Sequence, residues 1–191
     1  MTNHNLPSPN NSPDLDKDLL DLLIHDQRVR AEITRRSHMW FFVTYFGHYM
    51  DYPFSSFHRE MLTLSEDEEN RMLAIMAFRG SGKSTMFSLS YPIWAILGKQ
   101  NKKFVVVLAQ TKEQAKQYLT NIRRELERNT LLRQDLGPFE EQDEEWNMGS
   151  IVIPKYDARI TAISCEQNIR GRRHGNYRPD LIICDDLESQ D

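Results

Sequence analysis

Cysteine is nearly absent from this chain: its 191 residues hold two, Cys165 and Cys184. Two thiols cannot form the framework of a disulfide scaffold, and they read as reduced cysteines of a cytosolic protein. Long apolar runs are missing as well. No stretch approaches the roughly 20 apolar residues that a membrane-spanning helix needs. The opening MTNHNLPSPNNSPD lacks the charged-then-apolar order of a signal peptide. Nor is there an excess of positive charge, since 24 Lys and Arg against 28 Asp and Glu leave a net −4. The chain is not a polycation, so any nucleic-acid contact has to come from a local basic patch. His4, His25, His38, His48 and His174 show no metal-ligand spacing with the two cysteines, and no internal repeat is visible.

What is there is ordinary globular composition, 39% hydrophobic and 27% charged, enough for one domain with a real core and an appended arm. Residues 1–11, rich in Asn, Pro and Ser, read as disordered. A helical arm is expected over 12–64. Ser12 is its N-cap, Pro13 its first helical residue, and Leu15, Leu19, Leu22, Leu23, Val29 and Ile33 recur at helical spacing. The aromatic run Trp40, Phe41, Phe42, Tyr45 and Phe46 has too many rings for a base-stacking site and reads as core. DYPFSSFHREMLTL (51–64) reads as a loop entering a second helix.

From 65 to 191 strands and helices alternate. MLAIMAF (72–78) reads as a buried strand, 83–97 as a helix that Pro92 kinks or ends early, and KFVVVLA (103–109) as a second strand. Thr111 can cap a helix over 112–128 with an apolar stripe of Ala115, Tyr118, Leu119, Ile122 and Leu126. An acidic loop (137–150), short strands at 150–154 and 158–164, and the strand PDLIICDD (179–186) complete the chain. Apolar strands separated by helices predict an α/β fold, a mostly parallel sheet covered by helices on both faces.

Chemistry concentrates after the first strand, where AFRGSGKST spans 77–85. A strand that breaks into glycines and opens a helix with Lys and hydroxyls is how backbone is shaped into a polyphosphate cradle. Gly80, Ser81 and Gly82 supply the cradle, Lys83 reaches β- and γ-phosphates, and Ser84, with Thr85 behind it, offers a hydroxyl to Mg²⁺. The usual pattern is Gly-x-x-x-x-Gly-Lys-[Ser/Thr]. Here Ala77 holds the first glycine position, and Arg79 lies inside the loop, within reach of a γ-phosphate. LIICDD (181–186) supplies the partner: an apolar strand delivering Asp185 to Mg²⁺ and Asp186, or alternatively Glu188, to the attacking water. The basic loop NIRGRRHGNYRPD (168–180) carries Arg172 and Arg173, candidates for an arginine finger or for a nucleic-acid backbone. Phe54, Phe57 and His58 are candidates for an adenine pocket, with core packing as the blander alternative.

Taken in order, PFSSFHREML, AFRGSGKST, VVVLAQTKEQAKQYL and IRGRRHGNYRPDLIICDDLE resemble the large, motor subunit of tailed-phage DNA-packaging terminases over roughly residues 38–188. The resemblance implies a P-loop NTPase of the additional-strand class, whose ATP and Mg²⁺ are bound by the residues just named. It also implies movement of double-stranded DNA into a procapsid through a portal, a homo-oligomeric ring, a small terminase subunit as partner, and the cytoplasm of an infected bacterial host. The chain is expected to be truncated after the Asp-Asp strand and to lack the family's C-terminal nuclease domain. A helicase-like DNA-dependent ATPase and a nucleotide-binding assembly module without turnover are the alternatives.

Overall fold

The computed structural model describes residues 25–50, 54–139, 149–185 and Leu187. The expected disorder of 1–11, the helix start at Ser12, most of the acidic loop, Asp186 and Glu188 lie outside the described residues.

Asp26 interrupts the arm. Its carboxylate accepts the N–H groups of Arg28 (2.8 Å) and Val29 (3.2 Å) and so starts a new helix, α1 (Gln27–Arg36), where the apolar spacing predicted one that ran on from Ser12. Ser37 ends α1 and caps α2 (His38–Phe41), which runs into a π-helical turn over Phe42–Phe46. That turn and α2 bury Phe41, Phe42, Tyr45 and Phe46 almost completely, as the aromatic run predicts, whereas Trp40, the fifth ring of the run, is only half-buried. In α3 (Ser56–Glu66) Ser55 and His58 form a capping box.

The run 72–78 departs from expectation. It forms no strand, and Met72 and Met76 are 94% and 97% exposed. An apolar run becomes a strand only when a neighbouring edge accepts its backbone, and among the described residues no strand lies alongside it.

The helix after the loop takes a π-helical form over Thr85–Ser90 and continues as α4 (Tyr91–Leu97) up to Gly98. Pro92 falls in the first turn of α4 and does not stop the helix, because the change from π to α pairing absorbs its missing N–H.

Among the described residues the sheet has four strands in the order β2-β3-β1-β4: β1 (Phe104–Ala109), β2 (Ser150–Ile153), β3 (Ala158–Ser164) and β4 (Leu181–Cys184). Strand β1 is parallel to both β3 and β4, whereas β2 and β3 form an antiparallel hairpin, so the sheet is mixed. Its turn passes through Asp157 at φ +47°. Thr111 caps α5 (Lys112–Arg128) reciprocally with Gln114, over the predicted range. A further helix, α6 (Thr130–Leu136), was not expected; Asn129 both ends α5 and caps α6, accepting Leu132 N–H at 3.1 Å.

Alternate residues of β1 look to opposite faces. Val105, Val107 and Ala109 join the main core with α4, α5 and the arm aromatics. Phe104, Val106 and Leu108 form a small second cluster with Ile163, against which Ile169 packs. Among the described residues the second face is thus met by the basic loop, not by the helices predicted for it. The arm is tied in by a buried pair: Arg30 of α1 donates to both oxygens of Asp135 in α6, at 2.6 and 2.8 Å. No helix among the described residues is long and apolar enough to cross a membrane.

Candidate functional site

The loop between Phe78 and Ser84 is bent by two glycines with left-handed backbone, Gly80 at φ +82° and Gly82 at φ +77°. A Cβ on Gly80 would meet nothing within 4 Å, so the conformation, and not a shortage of room, calls for glycine there. Ser81 N–H turns back onto the Phe78 carbonyl at 3.3 Å. The first helical ring closes from Met86 N–H to the Gly82 carbonyl at 2.9 Å. The amides just before Met86 therefore lack an intrahelical acceptor, the arrangement that suits an anion.

Lys83 is folded over this loop. Its Nζ donates to the carbonyls of Ala77 (2.7 Å) and Phe78 (3.2 Å) and to Ser81 Oγ (3.4 Å). All three ammonium protons are spent on the loop itself, and Ala77, the departure from the glycine pattern, provides the shortest of those contacts.

Beneath the loop lies His58 of α3, 7% exposed, with Phe54 and Phe57 at ring distances of 5.2 and 4.0 Å. Burial lowers the imidazole pKa, and its hydrogen bond with the Ser81 backbone offsets part of that. His58 Nδ1 also accepts Ser55 N–H at 3.1 Å. None of the three rings lines the cavity described next, so they support the loop from behind and do not form an adenine pocket on it.

A cavity of about 1390 Å³ opens over the loop. Arg79 through Thr85 line one side, including each expected phosphate-binding residue. Gln110, Gln114, Cys184 and Leu187 line the other. Gln110 follows β1 and Cys184 ends β4, so the cavity lies at the carboxyl ends of two parallel strands, where open α/β sheets bind ligands.

Asp185 leaves β4 beside this cavity without lining it. Its N–H donates to the Leu108 carbonyl at 3.2 Å. Its carboxylate oxygen Oδ2 accepts Ser88 Oγ–H at 2.5 Å and Tyr118 O–H at 3.1 Å. The structure thus brings Asp185 to the helix after the loop, at Ser88, one turn beyond the expected Ser84. Ser88, four residues on from Ser84, was detectable by helical spacing; Tyr118 was hidden as one more member of an apolar stripe.

The basic loop is placed elsewhere. Arg172 Nε donates to the Asn168 carbonyl at 3.1 Å, Arg173 is exposed, and neither lines the cavity. Gly171 at φ +84° and Gly175 at φ +53° bend the segment between them. Among the described residues no group of three or more His, Cys, Asp or Glu could hold a metal ion alone. Of the two residues expected to hold Mg²⁺, Ser84 lines the cavity, whereas Asp185 lies beside it with Oδ2 bonded to Ser88 and Tyr118. A hydroxyl and a carboxylate are hard oxygen donors of the kind this ion takes along with phosphate oxygens and water. Comparison with protein-family models, curated proteins and solved structures finds no match to this chain.

Proposed function

We propose that this chain is the ATP-hydrolysing motor portion of a phage DNA-packaging terminase large subunit, with a P-loop fold of the additional-strand class. One observation carries the site: a glycine-bent loop with free first-turn amides and a lysine folded over it faces a cavity at the carboxyl ends of two parallel strands. The ordered resemblance of the four segments carries the step from nucleotide site to packaging motor.

In this reading the loop amides and Lys83 hold the β- and γ-phosphates, and Arg79, exposed on the cavity wall, adds charge at the γ-phosphate. Mg²⁺, held by Ser84 and Asp185, would neutralise charge on the phosphate oxygens. Asp186 orients the attacking water. Arg172 or Arg173 lies away from this cavity and is assigned to the site of a neighbouring subunit in a ring, where arginine fingers act in trans. Double-stranded DNA, the portal and a small recognition subunit are the partners this reading requires.

The test is ATP turnover by the full-length protein, with and without double-stranded DNA, beside Lys83→Ala and Asp186→Asn. Turnover that both variants abolish and DNA stimulates supports the motor. Wild-type turnover in both variants overturns the site. Strand displacement without a procapsid would make the chain helicase-like. A non-hydrolysing module is the second reading, favoured by Asp185, which lies beside the cavity without lining it. Tight ATP binding without turnover is its signature.

A further inference from the structure

A metal-binding carboxylate works only if its orientation is held, and outer hydrogen bonds supply that hold. Asp185 receives two such bonds on the same oxygen, Oδ2, from different elements. Ser88, 2% exposed, comes from the π-helical turn after the phosphate loop, and Tyr118 comes from α5. Neither bond uses Oδ1, which has no protein partner among the described residues. Two donors approaching one oxygen from two elements fix the rotation of the carboxyl plane, and with it the direction of Oδ1. Bonds to a charged acceptor are roughly twice as strong as neutral ones, so this anchor is firm.

We propose that Tyr118 is a positioning residue for Mg²⁺: with Ser88 it clamps Asp185 Oδ2 so that Oδ1 is presented to the ion or its water. The inference rests on the nucleotide-site reading above and adds a residue that the phosphate-loop pattern does not contain.

The experiment measures Mn²⁺ binding to the full chain with ADP by electron paramagnetic resonance, which needs no turnover. Tyr118→Phe and Ser88→Ala are compared with Ser88→Thr, which keeps the hydroxyl. The loss of an outer-shell partner typically weakens metal binding about 10–100-fold. The expected result is about a tenfold rise in the Mn²⁺ dissociation constant for Tyr118→Phe and Ser88→Ala, with Ser88→Thr close to wild type. ADP affinity in EDTA and the melting temperature stay unchanged in Tyr118→Phe. If Mn²⁺ affinity is unmoved in both variants while the wild type binds Mn²⁺–ADP, the clamp is wrong and the nucleotide site stands. If Tyr118→Phe lowers the melting temperature and metal-free ADP affinity together, Tyr118 is only structural. If the wild type binds no ADP, the site reading falls and this inference falls with it.

Discussion

The Lys83 ammonium donates to the carbonyl oxygen of Ala77 at 2.7 Å, six residues earlier in the chain, so the loop's one lysine is held over the loop itself. A phosphate arriving at the cradle competes with the loop carbonyls for these protons, and a charged acceptor wins against a neutral one. Removing the lysine removes hydrogen bonds to a charged group worth about 1.5–3 kcal/mol each. Lys83→Ala is therefore expected to weaken nucleotide binding by at least about tenfold, read by calorimetric titration with ADP. Retained wild-type affinity would mean that nucleotide binds elsewhere.

A second expectation follows from the exposure of 72–78. Met76 is 97% exposed, whereas Ile160 of β3 is fully buried. Met76→Ser is expected to change stability by no more than about 0.5 kcal/mol. Ile160→Ala should cost about 2–5 kcal/mol. Urea denaturation of both variants checks the contrast. A large loss in Met76→Ser would restore the buried strand that the sequence suggested.

The contrast between 72–78 and β1 shows where the sequence stops being informative. MLAIMAF and FVVVLA have the same apolar character, yet β1 is buried along its whole length and 72–78 is not paired. Composition sets the tendency; neighbouring edges decide the outcome, and those are supplied by segments far away in sequence. Local signals fared better. Thr111 with Gln114 set the start of α5, and Gly80 with Gly82 set the loop. Asn129, which ends one helix and begins another, went unread because a helix as short as α6 carries too few periods to register. The candidate site divides in the same way. Its contiguous part, 79–85, was legible, while Tyr118 needed the fold to bring α5 to Asp185, the residue after β4.

The third prediction concerns how the arm is held. The guanidinium of Arg30 and the carboxylate of Asp135 are 7% and 0% exposed, and the Tyr45 hydroxyl donates to the same carboxylate at 2.9 Å. The carboxylate beside it raises the Arg30 pKa, so the charge stays on when the site is buried. Asp135→Ala strands that charge and is expected to destabilise by about 3–5 kcal/mol. Arg30→Met with Asp135→Leu removes both charges and should recover most of the loss, because no buried charge is stranded and the Tyr45 hydroxyl can turn to Thr34 Oγ1, 3.1 Å away. Denaturant midpoints of the single and double variants measure the difference. Equal losses would show that packing, not the stranded charge, dominates.

The fourth prediction turns on His38, which is fully buried and stacked on Trp94 at a ring distance of 5.1 Å. Ser65 Oγ donates its proton to the Leu62 carbonyl at 2.6 Å, so it can only accept from His38 Nδ1, 2.7 Å away. That fixes the neutral tautomer, with Nε2 accepting from Ser90 Oγ at 3.1 Å. Burial pushes the imidazole pKa down to about 3, against about 6.5 in the unfolded chain. A lowered folded pKa contributes stability that is present in full above the unfolded value and is lost as pH falls. Between pH 7 and pH 5 the unfolded chain takes up the proton and the folded chain does not, which removes about 2 kcal/mol. This loss is insensitive to the folded value as long as it stays well below 5. Urea denaturation at pH 7, 6 and 5 should therefore show the stability gap between wild type and His38→Gln shrinking by about 2 kcal/mol. A gap that stays constant with pH would mean that folded His38 takes up its proton over the same pH range as the unfolded chain, so that burial does not hold it neutral.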